Sequence, residues 1–308
     1  MTGLAEHLST CGTDGAPQWL VLDGGLATEL ETRGWDISGT LWSAHVLRDD
    51  PDEIESVHAA YLDAGADIII SASYQVSREG VIAVGGSARE ADALLTRSVE
   101  VARRARDRAG RGHVAASVGP YGAILHDGSE YRGNYEVDRA ELVDFHRRRL
   151  DVLLSAEPDA LAIETIPDVR EAEALAIVLE GCAVPGWMTF TGPGAMTWAG
   201  QTMAEAAAIA AEVPCIVAVG VNCVAPEGVT AALTMMMGSG LPGAAYPNSG
   251  AVWNGVTRDW DHSGASGGPS AERVAEWVAA GARLIGGCCG IGPDQITLLA
   301  DLARGSTR

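Results

Sequence analysis

Short apolar runs alternate with longer amphipathic stretches along the whole chain. Trp19–Asp23, Asp67–Ser73, Val114–Val118, Leu161–Thr165, Trp187–Thr191, Ile216–Val221, Ala244–Tyr246 and Leu284–Cys288 each read as a strand. Between them, helical spacing of apolar residues predicts helices near 26–33, 51–64, 87–109, 137–155, 170–179, 203–212, 226–237, 271–280 and 293–302. Strands that are apolar at nearly every position belong to a parallel sheet covered by helices on its faces. Eight such strand–helix units within about 250 residues is the count of a TIM (β/α)8 barrel. An open, doubly wound sheet is the competitor, but no Gly-x-Gly-x-x-Gly turn follows the first strand. The glycine-rich connections at 119–136 and 247–269 read as loops over the barrel mouth. The expected organisation is one domain over residues 1–308, with 1–17 as a poorly ordered N-terminal extension.

Composition narrows the choice of partners. Twenty-one basic residues against 41 acidic ones give a net charge of -20, which disfavours nucleic acid and anionic membrane surfaces. A soluble acidic surface accounts for most of that excess, and a cationic ligand is mildly favoured. No apolar stretch of about 18 residues and no signal-type N-terminus is present. The six cysteines are irregularly spaced in a long chain, so a secreted disulfide scaffold is not expected. The expected compartment is the cytoplasm, and the expected state a monomer or small homo-oligomer acting on small molecules. The chain has no lysine, which removes Schiff-base chemistry.

The candidate chemistry lies at two strand ends. The eighth predicted strand runs into Gly286-Gly287-Cys288-Cys289-Gly290, and the sixth into Gly220-Val221-Asn222-Cys223. Adjacent cysteines can meet one ion only where the chain bends sharply, and glycine permits such a bend. In a barrel, both strand ends face one mouth, so Cys223, Cys288 and Cys289 can share a pocket. Three protein ligands with one open position is a catalytic zinc pattern, since structural sites close with four. The plainer readings are three small buried hydrophobes, a phosphate-binding loop at Gly287–Gly292, or a vicinal disulfide. The loop has no Ser, Thr, Lys or Arg to assist a phosphate. Three thiolates on a divalent cation leave about one negative charge, a poor centre for activating water but a good one for a fourth thiol. Coordination removes that thiol's proton, and the bound sulfur stays nucleophilic toward an activated methyl carbon.

Together the motifs resemble the zinc-dependent homocysteine S-methyltransferase family over nearly the whole chain. They are Asp23-Gly24-Gly25-Leu26-Ala27-Thr28-Glu29-Leu30-Glu31, Leu41-Trp42-Ser43-Ala44, Ser117-Val118-Gly119-Pro120-Tyr121-Gly122-Ala123, Asp127-Gly128-Ser129-Glu130-Tyr131-Arg132-Gly133, Gly220–Cys223, Tyr246-Pro247-Asn248-Ser249-Gly250 and Gly286–Cys289. The second and fourth are similar to the branch using S-methylmethionine or S-adenosylmethionine rather than betaine. The resemblance implies Zn2+ on Cys223, Cys288 and Cys289, homocysteine and a sulfonium donor as substrates, and methionine as product. It also implies that Asp23 helps hold the amino-acid substrate, although Asp23 could equally cap the following helix.

Glu164 ends the fourth strand within an apolar run, where its carboxylate could take an ammonium or pair with an arginine. Ser73, Gln75, Tyr121, Asn222 and Asn248 stand at strand ends and in these motifs as substrate-contact candidates, Asn222 alternatively as a backbone support. One of the eight tryptophans is a candidate to face a sulfonium. Two departures from the family pattern are Ala251 after the Tyr-Pro-Asn-Ser-Gly run and the absence of an Asp-Gly run in Thr191–Gly200. They leave a related thiol or selenol acceptor open. A non-catalytic zinc-binding barrel is the remaining alternative; it would need a fourth ligand, and no further Cys or His ends a matching strand.

Overall fold

The computed structural model describes residues 4–11, 17–39, 41–125, 127–250, 252–254, 259–261 and 267–305. Its strands are β1 (Leu20–Val21), β2 (Ile68–Ile70), β3 (His113–Val118), β4 (Ala160–Ile166), β5 (Gly186–Phe190), β6 (Ile216–Asn222), β7 (Gly243–Tyr246), β8 (Val252–Asn254), β9 (Asp259–Asp261) and β10 (Ala282–Ile285). Eight of them form one parallel sheet in the order β1-β10-β7-β6-β5-β4-β3-β2. A bridge between Leu22 and Ile68 joins the two ends, with the Asp23 N–H donating to the Ile68 carbonyl at 3.1 Å. The result is the expected (β/α)8 barrel, and β8 and β9 form a separate antiparallel hairpin between β7 and β10.

Alternation along the strands sorts the side chains. Leu20, Leu22, Ile68, Ala115, Ala160, Ala162, Trp187, Ala218, Ala244, Tyr246 and Leu284 point inward and pack as one cluster. The intervening Val21, Ile69, Val114, Leu161, Ile163, Met188, Val219, Ala245 and Ile285 belong to the larger core shared with the helices. Five inward alanines make room for the fully buried Trp187, so large and small residues interdigitate inside the ring. Continuing the inward parity toward the C-terminal strand ends gives Ser117, Glu164, Thr189 and Asn222. The barrel interior thus changes from apolar at one end to polar at the other, and the polar end is the mouth.

The helices begin where local chemistry starts them. Asp138 and Thr202 form capping boxes with Glu141 and Glu205, each worth about 1 kcal/mol, and Ser87 caps the 22-residue helix Ala88–Ala109. Two short helices, Ser43–Asp49 and Arg78–Ala83, add to those the spacing predicts. The N-terminal expectation needs correction: Leu4–Thr10 is a helix rather than unordered chain. Leu4 and Leu8, only 2% and 5% exposed, close the apolar end of the barrel, and His7 packs on His113 at the start of β3. The 119–136 connection carries two short 3-10 turns, Tyr121–Ile124 and Ser129–Tyr131, which bring part of it back into the mouth.

Candidate metal centre

At the polar end, the sulfur atoms of Cys223, Cys288 and Cys289 lie within 4.8 Å of one another, and those of Cys288 and Cys289 are 4.0 Å apart. Tetrahedral coordination with metal–sulfur bonds of about 2.3 Å places sulfurs about 3.8 Å apart, so the trio fits one ion with little adjustment. All three cysteines line a cavity of about 140 Å³ inside the mouth. Without a cation, such crowding disfavours ionisation: hydrogen bonding to Cys223 first, and burial after it, push the Cys288 thiol well above its ordinary range. A cation reverses that preference, because it favours the thiolate.

Backbone strain and backbone hydrogen bonds set the three sulfurs. Among the described residues, five non-glycine residues have positive φ, and three of them, Trp42, Thr165 and Cys223, line this cavity. Such conformations cost about 1–3 kcal/mol each and persist where the surroundings over-determine them. The Cys288 N–H donates to the Pro247 carbonyl at 2.8 Å, and the Cys289 N–H to Asn248 Oδ1 at 3.1 Å. The turn beyond closes through Gly290, at φ 76°, whose N–H donates to Thr28 Oγ1. Gly25 explains the Asp-Gly-Gly run, since a Cβ there would stand 2.6 Å from the Cys288 carbonyl oxygen. The first strand's turn and the cysteine turn therefore pack backbone against backbone.

Two carboxyls share the cavity wall. Asp23, 2% exposed, accepts the Ile70 N–H at 2.8 Å. Glu164, 7% exposed, accepts a hydrogen bond from Ser117 Oγ and lies beside the Tyr246 hydroxyl, both of which favour its charged form. Burial pushes Glu164 up to about 7 despite those donors. Burial also raises Asp23 well above the usual carboxylate range, and the nearby Glu164 charge adds to it. Among the described residues lining the cavity there is no arginine or histidine, so no protein cation offsets this pair.

The other anticipated residues divide into lining and support. Gln75 and Asn222 line the cavity. Asn222 is also fully committed: its Oδ1 accepts from the Thr165 N–H at 2.7 Å and Thr189 Oγ1 at 2.8 Å, while its Nδ2 donates to Thr165 Oγ1. It holds the strained end of β4 beside Glu164, which is the backbone-support reading. Asn248 likewise orients Cys289 through its side chain. Ser73 and Tyr121 stand off the cavity, contrary to expectation. Ser73 Oγ is spent on Ser71 Oγ and the Ser117 carbonyl, and Ser73 shares the outward parity of Ile69. Tyr121 packs against Tyr135 and Phe145, and its N–H donates to Glu171. Arg149, buried, donates to the carbonyls of Gly119, Ser73 and Tyr74, and so fixes the two loops that flank the mouth.

Several lining residues escaped sequence reasoning. Ser117 and Tyr246 share the inward parity of their strands and could have been found by counting from Ala115 and Ala244. Tyr74, Glu130 and Tyr131 also line the cavity, from irregular segments where parity gives no guide, and among the described residues Trp42 is the tryptophan that does so. No residue of Thr191–Gly200 lines the cavity, although Thr191 Oγ1 donates to the Cys223 carbonyl at 3.3 Å, and Ala251 lies outside the described residues.

Fold and site together define a class: a barrel whose strand ends gather three thiolate-type ligands beside buried carboxyls, as in metal-dependent thiol chemistry. Residues 20–303 match the family described as homocysteine S-methyltransferase. Homocysteine S-methyltransferase 4 of Zea mays is 45% identical, over 92% of this chain and 89% of the maize protein. Homocysteine S-methyltransferase of Escherichia coli (strain K12) is 44% identical, over 91% of this chain and 94% of its own. The crystal structure of the metallated form of the homocysteine methyltransferase MmuM from Escherichia coli superposes with a TM-score of 0.82 at 42% identity, covering 92% of this chain and 95% of that one. The chain belongs to the homocysteine S-methyltransferase family, and it is a methyltransferase. Among the described residues, no helix is long and apolar enough to cross a membrane.

Proposed function

We propose that this protein transfers a methyl group from a sulfonium donor to the sulfur of homocysteine, with zinc held by Cys223, Cys288 and Cys289. S-methylmethionine is the preferred donor and S-adenosylmethionine a weaker one. The observation that carries the reading is three thiols within 4.8 Å of one another opening on a cavity that also holds two buried, uncompensated carboxyls. Cys223, Cys288 and Cys289 would hold the zinc, which would favour loss of a substrate thiol's proton while leaving the sulfur nucleophilic. Asp23 and Glu164 form the pocket for the amino acid's ammonium, whose charge offsets the burial cost both carboxyls carry. Ser117 and Tyr246 orient Glu164, Asn222 fixes the strand end beneath it, and Gln75 lines the same wall.

In the transfer, the donor's sulfur–methyl bond breaks as the new carbon–sulfur bond forms. The electron pair stays on the donor sulfur, which leaves as a neutral thioether. From S-methylmethionine and homocysteine the products are two molecules of methionine. A sulfonium is a competent leaving group unaided, whereas a folate donor would need its nitrogen protonated and a pocket for its pterin. The acidic protein also attracts a cationic donor and releases a neutral thioether product from that field.

Product analysis with homocysteine and a panel of donors tests the reading. Methionine is expected with S-methylmethionine, less with S-adenosylmethionine, and none with methyltetrahydrofolate. Turnover with the folate, or with betaine but neither sulfonium, would overturn it. A selenol analogue of homocysteine is expected to serve as well, because the lining names groups for the ammonium and none that separates sulfur from selenium.

A further inference from the structure

The motif Asp127-Gly128-Ser129-Glu130-Tyr131-Arg132 sorts its charges to opposite sides of the chain. Asp127 Oδ1 accepts the Ser129 N–H at 3.0 Å, Gly128 takes φ 76°, and the 3-10 turn Ser129–Tyr131 follows. Arg132 points outward and is committed there, with Nη2 donating to Asp127 Oδ2 at 3.0 Å and Ser129 Oγ at 2.8 Å. Glu130 and Tyr131 point the other way and line the cavity. Glu130 is 8% exposed, and its Oε2 has no hydrogen-bond partner among the described residues. A buried carboxylate oxygen left unmet costs free energy that a native structure normally avoids.

Glu130 is a second anionic locus, apart from the Asp23–Glu164 pair. Asp23 and Glu164 influence one another, whereas the charges that act on Glu130 are Asp127 and Arg132. Tyr74 and Tyr131 each lie within electrostatic reach of both Cys223 and Glu130. The cavity thus carries a third buried carboxyl besides the Asp23–Glu164 pair. With that pair assigned to the ammonium of the thiol substrate, Glu130 is free for a cation delivered by the donor.

We propose that Glu130 is the binding carboxylate for the cationic sulfur of the methyl donor, and so the residue that selects a sulfonium over a neutral molecule of the same shape. The inference rests on the reading of function above. The sulfonium charge is fully developed in the bound donor and already dispersing when the methyl is half transferred. Glu130 therefore stabilises the ground state more than the transition state, and it acts on KM for the donor and not on kcat.

The test is Glu130→Gln, assayed with homocysteine and S-methylmethionine, and with 2-amino-5-methylhexanoate, the neutral carbon analogue of the donor, as competitor. Expected are a rise of about 10- to 100-fold in KM for S-methylmethionine, a KM for homocysteine within about twofold of the parent, unchanged zinc content, and a kcat that does not fall. The parent is expected to bind the sulfonium more tightly than the carbon analogue, and the variant to lose that preference. Equal loss of donor and analogue, or a fall in kcat with donor KM unchanged, would overturn the proposal. Glu130→Asp keeps the charge but withdraws it, and an intermediate donor KM is expected; should the Gln variant fail to fold, an unchanged donor KM in the Asp variant overturns the proposal by itself. If the parent protein uses no sulfonium at all, the reading of function falls first and this proposal with it. If the parent does and the variants behave as the parent, this proposal alone falls.

Discussion

Replacing Glu164 by Gln should make the ligand-free protein more stable and a poorer enzyme, and the stability gain should depend on pH. The carboxyl is buried, and its pKa moves from the ordinary 4.5 to about 7. Between those values the folded protein holds a proton there that the unfolded chain does not. Stability from this group is therefore full below the unfolded value and declines as pH rises through the folded one. At about 1.36 kcal/mol per pH unit, the full interval corresponds to about 3 kcal/mol above pH 7. Glutamine can still accept from Ser117, but its amide hydrogens need partners, which lowers the gain to about 1–3 kcal/mol. Asp23 is coupled to Glu164, so relief at one carboxyl partly relieves the other, and the two substitutions should not add.

The assay is urea unfolding followed by tryptophan fluorescence, with variant and parent compared at pH 4.5 and pH 8. The difference in unfolding free energy should be near zero or slightly favour the parent at the lower pH, and should favour the variant by about 1–3 kcal/mol at the higher. In the same preparations, KM for homocysteine should rise about 10- to 100-fold, the loss of one charge-assisted hydrogen bond. Zinc content should stay constant. A stability difference independent of pH would refute the argument, because it would mean that Glu164 ionises in the folded protein as it does in the unfolded one. A stabilised variant with an unchanged homocysteine KM would separate the burial argument from the ammonium pocket and refute the latter.

Three further outcomes are expected. Alanine at Cys223, Cys288 or Cys289 should take zinc from about one per chain to none and abolish turnover, while serine at Cys182 or Cys215 should leave both intact; metal analysis with activity decides, and full activity in Cys288→Ala would end the metal assignment. Asn248→Ala frees the Cys289 N–H and should weaken metal retention about 10- to 100-fold in a chelator competition, with little effect on global unfolding. Gly25→Ala should disturb the cysteine turn, since the added methyl meets the Cys288 carbonyl at 2.6 Å; weakened zinc binding in a folded protein is the expected readout, and wild-type affinity would show that the turn can shift.

The sequence by itself determined the repeating layout and the metal trio. Eight apolar runs separated by helical spacing have few ways to bury both faces, and a ring of parallel strands is one of them. Once the ring is assumed, residues ending strands six and eight must share a mouth, which is why Cys223, Cys288 and Cys289 could be read together with no coordinates. Glu164 was a candidate for the same reason, as a carboxyl ending an apolar run, whereas the role of Asp23 came from the family resemblance. Beyond the last strand residue, period-two alternation lapses, and side-chain direction becomes a matter of loop geometry. The turn after β2 brings both Tyr74 and Gln75, adjacent in sequence, to the cavity. Tyr121 and Tyr131 occur in similarly suggestive motifs, yet one packs behind the mouth and the other lines it, a distinction made by two short 3-10 turns. Asn222 and Asn248 look like ligands for a substrate, but three-dimensional neighbours turn them into supports for Thr165 and Cys289. Leu4 and Leu8 read as part of a loose extension because an isolated two-turn helix has no stability of its own; only the open apolar end of the barrel gives it a surface to cover. Glu130 was legible as a motif member, and the burial of its Oε2 without a partner among the described residues is decided only by the folded chain.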